Sequence, residues 1–140
     1  MKSIVTLAIT LTLGTSCSTV TELAPVITNQ QLQCLNKPKE FVQQAITANK
    51  QTFVGQEQGV FLVKTTDGRL LGYLFEQGEC STVMTHIPAN GLAQAEAFIA
   101  AEVKKNFGPM FRTSDNVSYK YYTAPIGQNA DTYLVAQALN

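Results

Sequence analysis

Residues 60–87 constrain this chain most. Val60 to Thr66 is β-branched and aromatic, Asp67-Gly68 is a strong hairpin-turn signal, and Leu70 to Glu76 returns. Gln77-Gly78-Glu79 supplies a second turn, and Cys80 to Ile87 a third strand that Pro88 ends. Consecutive strands joined by tight turns pair antiparallel, so the chain must build around a meander. In the third strand, alternation puts Cys80, Thr82, Met84 and His86 on one face, and Ser81, Val83, Thr85 and Ile87 on the other. Gly72 marks a bulge or a close approach.

Helices are expected on either side of the meander. Asn36-Lys37-Pro38-Lys39-Glu40 reads as a helix start, with Asn36 the capping residue, and Phe41, Val42, Ala45, Ile46 and Asn49 follow at helical spacing. Phe53-Val54 is β-like but short and ambiguous. Asn90 is placed to cap a second helix from about Gly91 to Asn106. Leu92, Ala95, Phe98, Ile99, Val103 and Phe107 form its expected buried stripe, and Gly108-Pro109 stops it. Val117 to Ala124 alternates as a strand, Pro125 to Ala130 is a loop, and Thr132 to Leu139 is a last strand. The expected order is α-β-β-β-α-β-β. That is an α+β domain with a five-stranded antiparallel sheet and two helices. In topology it is similar to profilin-like and PAS-like sensor and binding domains, a likeness that carries no function by itself.

The N-terminus is read separately. Lys2 precedes the apolar run Ile4 to Leu13, which is shorter than the roughly 20 residues a membrane span needs but fits the core of a secretory signal. Gly14-Thr15-Ser16-Cys17 resembles the lipobox of bacterial lipoproteins. That resemblance implies lipidation of Cys17, and Ser18 after it implies sorting to the outer membrane. Gly14 departs from the leucine usual there, and the alternative is ordinary cleavage after Ser16 or Ser18. Residues 1–17 are therefore read as a signal and lipobox-like segment. Residues 18–31, polar and interrupted by Pro25, are read as a tether, and residues 32–140 as a single domain.

Three cysteines, Cys17, Cys34 and Cys80, are an odd number for an exported chain. Lipidation consumes Cys17, or cleavage after Ser18 removes it; cleavage after Ser16 would instead leave it free. Cys34 and Cys80 then remain to pair in an oxidising compartment, a bridge worth roughly 3–4 kcal/mol on the chain-entropy account. A Cys before the first helix, Gly59-Val60-Phe61 opening one strand and Gly78-Glu79-Cys80 opening another make residues 34–87 similar to a group of small exported bacterial and phage-associated proteins. That group is uncharacterised and shares this two-Cys layout. The resemblance implies export and a staple, and it brings no catalytic motif.

Little in the sequence points to a reaction. There is no nucleophile elbow, phosphate-binding loop, zinc-protease motif or dinucleotide fingerprint. The single His86 cannot complete a zinc site with two cysteines, so no metal or cofactor is expected. His86 as the base of a hydrolase stays as a minor reading beside its plainer role as a half-exposed strand residue. Lysine and arginine total 10 against 10 aspartates and glutamates, without the basic surplus a nucleic-acid binder needs. A hydrophobic content of 45% argues against disorder.

The best candidate binding surface is aromatic: Tyr119, Tyr121, Tyr122 and Tyr133 on the last two strands, with Arg112 nearby. Core and edge packing is the competing role for these tyrosines. The expectation is a non-enzymatic envelope protein on the periplasmic side, with anchoring in the outer membrane as what Ser18 implies. It would bind an envelope or toxin protein in an immunity-like or accessory role, and touch the membrane only through a lipid on Cys17. The alternative is a periplasmic domain that binds or senses a small ligand.

Overall fold

The computed structural model describes residues 24–127 and 131–139. The expected signal segment, Cys17 and Ser18 lie outside the described residues. The elements in chain order are α1 (Asn29–Leu32), α2 (Lys39–Ala48), β1 (Thr52–Glu57), β2 (Val60–Lys64), β3 (Leu70–Glu76), β4 (Glu79–His86), α3 (Leu92–Asn106), β5 (Phe111–Arg112), β6 (Ser118–Ile126) and β7 (Asp131–Ala138). The fold is α+β, with one antiparallel sheet in the order β1-β2-β3-β4-β7-β6-β5. It has seven strands rather than the five expected, because Phe53-Val54 lies in a full strand and Phe111-Arg112 adds a short one.

The turns explain the meander. Gln58-Gly59 and Gln77-Gly78 both hold two successive positive φ angles, 51° and 82° in the first and 55° and 83° in the second. That geometry closes a two-residue hairpin whose twist matches the strands. The Asp67-Gly68 connection is longer. Gly68 donates to the Thr65 carbonyl at 3.1 Å and Thr65 to the Arg69 carbonyl at 2.9 Å, so β2 stops at Lys64. Gly72 is a close approach: a Cβ there would stand 2.6 Å from Met84 Cγ and 2.8 Å from Val60 Cγ1.

One correction concerns β4. Leu74 pairs with Thr82 but Phe75 with Cys80, so a bulge inserts one residue between them. The inserted residue turns Cys80 to the same face as Val83 and Thr85, not the face of Thr82 and Met84.

The main core lies between the helices and one face of the sheet. Leu32, Val42, Ile46 and Ala95 from the helices pack with Val63, Leu71, Tyr73, Val83, Leu134 and Ala136. The opposite face buries Val60, Met84, Tyr133 and Val135, with other strand residues packed around them. Curvature explains that burial. Gly127 donates to Gln58 Oε1 at 3.3 Å. In a flat sheet the two turns would stand at least four strand spacings apart, about 19 Å. The sheet is therefore coiled so that opposite corners meet.

Three further expectations are corrected. Asn36 does not cap α2; it sits at φ 64° in a turn, and Pro38 occupies the N-cap. In α3, Gly91 rather than Asn90 is the N-cap, and Leu92 and Phe107 of the expected stripe are exposed. Phe107 adopts φ 58°, which ends the helical periodicity one residue earlier than the stripe requires. Finally, residues 24–31 are packed rather than a free tether. Pro25, Ile27 and Gln31 are buried, and a Thr28–Gln31 capping box opens α1. Gln31 Nε2 donates to the Met84 carbonyl at 3.2 Å and to Thr85 Oγ1 at 3.1 Å.

Candidate protein-binding edge

Among the described residues the sheet ends on β1, which pairs only with β2. Its outer row of backbone groups is thus open to another strand. Register shifts between Phe53 and Gly55, leaving Val54 as the extra residue of a bulge. Both apolar residues stand in solvent, Phe53 52% and Val54 51% exposed.

Phe53 continues a row of rings. Its centroid lies 4.8 Å from that of Phe61 on β2, and Phe61 lies 5.8 Å from Phe75 on β3, edge to face. Lys39, in the first turn of α2, places its ammonium 4.4 Å from the Phe61 centroid and 5.8 Å from that of Phe75. On the same helix Phe41 turns outward, and Lys37 Nζ stands 4.9 Å from its ring. Lys37 is also held by Asp115 at 2.6 Å. The result is an exposed apolar strand edge with aromatic and cationic groups beside it. Helical spacing groups Phe41 with Val42, Ala45 and Ile46, and Phe53-Val54 is too short a run to read as a strand from the sequence. A usable signal was present: Glu57-Gln58-Gly59 repeats Glu76-Gln77-Gly78, so the same hairpin turn occurs two strands earlier.

The four predicted tyrosines do not form one surface. Tyr119 and Tyr121 face the helices, Tyr119 stacked on Phe111 and Tyr121 edge to face with both Phe111 and Phe98. Tyr122 and Tyr133 belong to the opposite face. Tyr119 and Tyr133 are buried, and burial pushes all four phenols above their ordinary value. Period-two alternation separates Tyr121 from Tyr122, so packing and not a shared surface accounts for the cluster. Arg112 is exposed and donates to Asn116 Oδ1 at 3.0 Å.

Cys34 and Cys80 are buried together at the start of β4. The Asn36 amide donates to the Cys80 carbonyl at 2.7 Å and the Cys80 amide to the Lys37 carbonyl at 2.8 Å. Both residues are thiols here, Cys34 Sγ donating to the Gln30 carbonyl and Cys80 Sγ to the Thr82 carbonyl. Burial pushes the Cys34 thiol up to about 11, against the lowering effect of Lys37. Burial and then the nearby Cys34 push Cys80 up to about 12.

His86 Nε2 lies 3.9 Å from Asp131 Oδ2, beyond hydrogen-bond length, and its ring meets Tyr133 edge to face. His86 and Asp131 line a cleft of about 400 Å³ with Ile87, Pro88, Leu92 and Thr132, and among the described residues no serine or cysteine lines it. A second cleft, about 290 Å³, is lined mostly by residues of polar type, among them Gln30, Asn49, Gln51, Thr66, Asp67 and Arg69. There a hydrogen bond from Thr65, then the charge of Arg69, hold the Asp67 carboxyl below its usual range. Among the described residues, no three His, Cys, Asp or Glu side chains are grouped to hold a metal ion. Also among them, no helix is long and apolar enough to cross a membrane. Comparison with family models, curated proteins and solved structures finds no match.

Proposed function

We propose that this chain is an exported bacterial envelope protein, held to the membrane by a lipid on Cys17, that acts without catalysis by binding another protein. The partner adds a strand to β1, with Phe53, Val54 and Phe41 as its apolar contacts. The observation that carries this reading is the half-exposure of Phe53 and Val54 on a strand with an open edge. The role is immunity-like or accessory: the protein occupies its partner rather than converting it. A direct test is capture from an envelope extract by the full chain and by its Phe53→Glu/Val54→Lys variant. The reading predicts a partner retained by the wild type and lost by the variant. Identical sets of captured proteins would overturn it.

A second reading is favoured by the cleft around Arg69 and Asp67: a small-ligand binding or sensing domain of the profilin-like or PAS-like kind. It predicts that a polar small molecule raises the melting temperature of the wild type and not of an Arg69→Ala variant.

A further inference from the structure

At the far end of α3 a second apolar feature stands in solvent. Phe107 is 97% exposed and Met110 62% exposed. Phe107 holds φ 58°, a left-handed conformation that a bulky side chain adopts at a cost and that glycine commonly fills at a helix end. The loop is nonetheless held firmly. Asn106 Nδ2 donates to the Gly108 carbonyl at 2.9 Å and to the Met110 carbonyl at 2.7 Å. The Gly108 amide donates to the Val103 carbonyl at 3.1 Å. A strained, fixed loop thus carries two large apolar side chains outward, and almost nothing in the fold covers the first of them.

The charges beside this tip are mainly basic. Lys104 and Lys105 form the last turn of α3, and Arg112 follows two residues after Met110. Glu102, 3.2 Å from Lys105, is the acid on the same turn. We propose that Phe107 and Met110 insert into the headgroup region of an anionic lipid membrane, while Lys104 and Lys105 meet its phosphates. Long lysine stems suit this, because they lie along apolar surface while the ammonium reaches the charged layer. The size of the feature also favours lipid over a protein. A specific protein interface buries about 800 Å² on each partner, and two side chains fall far short of that. Membrane contact, in contrast, is assembled from small increments of buried apolar surface and charge attraction. This contact would be separate from the protein-binding edge at β1.

The chain contains no tryptophan, so a Phe107→Trp variant carries a single reporter at the tip. The full-length variant is mixed with phosphatidylglycerol vesicles whose acyl chains are brominated. The proposal predicts a blue shift and at least twofold quenching of the reporter. Adding Lys104→Glu and Lys105→Glu abolishes most of this, as does replacing the lipid with phosphatidylcholine. A Phe53→Trp variant, with its reporter on β1, stays unquenched on the same vesicles. An unshifted, unquenched reporter at position 107 on vesicles that sediment with the protein would overturn the proposal and leave the β1 reading untouched. So would a shift produced only by a lipid-free protein fraction, which would assign the tip to a protein partner.

Discussion

The backbone amide of Asn36 donates to the carbonyl of Cys80 at 2.7 Å. With the return bond from the Cys80 amide to Lys37, it docks the turn that carries Cys34 onto the strand that carries Cys80. The two buried cysteines are therefore presented to each other by backbone structure that does not depend on a covalent bond. We predict that they join when the folded protein stands in an oxidising compartment. Mass spectrometry under non-reducing conditions should find a Cys34–Cys80 linked peptide in material recovered from such a compartment. Reduction should lower stability by about 4 kcal/mol, the loop-closure value for a bridge spanning 46 positions (80 − 34). Two free thiols in such material would contradict this.

The reduced form should be sensitive to alkali. The folded thiols titrate at about 11 and about 12 instead of near 9, so the fold binds protons that the unfolded chain has released. Their contribution is complete below the ordinary value near 9 and is lost as pH rises toward the folded values. Denaturant titrations between pH 8 and 11 should show the reduced protein losing stability faster than the oxidised one, which has no thiols to titrate. Parallel pH profiles would contradict the burial of these groups.

Gly72→Ala tests the close packing of β3 on the opposite face of the sheet. The added methyl would meet Met84 and Val60 inside contact distance. Overpacking of this kind costs about 1–3 kcal/mol. The urea midpoint should fall with the slope unchanged, and an unchanged midpoint would show that the two side chains give way freely.

Phe107→Gly should do the opposite. The native residue holds a left-handed φ and makes little packing contact, so glycine relieves the strain without loss of core. Stability should rise by up to about 1 kcal/mol. A clear loss would mean that Phe107 packs within the fold.

How much of this was legible depended on whether local chemistry decided the outcome. The meander, the extent of α3 and the close approach at Gly72 follow from turn residues and periodicity, which act over a few positions. The bulge at Cys80 does not: alternation assigned it to the face of Met84, and one inserted residue moved it. Asn36 is a good helix cap by type, but the turn that docks onto β4 took it into a left-handed conformation instead. The tyrosines misled because a sheet needs aromatic residues on both faces, and Tyr121 and Tyr122 necessarily fall on opposite ones. The β1 edge was missed because exposure at a sheet margin is set by strand order, which composition does not encode.

The protein-binding edge is tested most directly by photo-crosslinking in cells. A photoreactive phenylalanine analogue would be placed at position 53 on β1 and, separately, at the exposed position 94 on α3. One discrete crosslinked partner is expected from position 53 and none from position 94. No crosslink at position 53, or the same products from both positions, would contradict it.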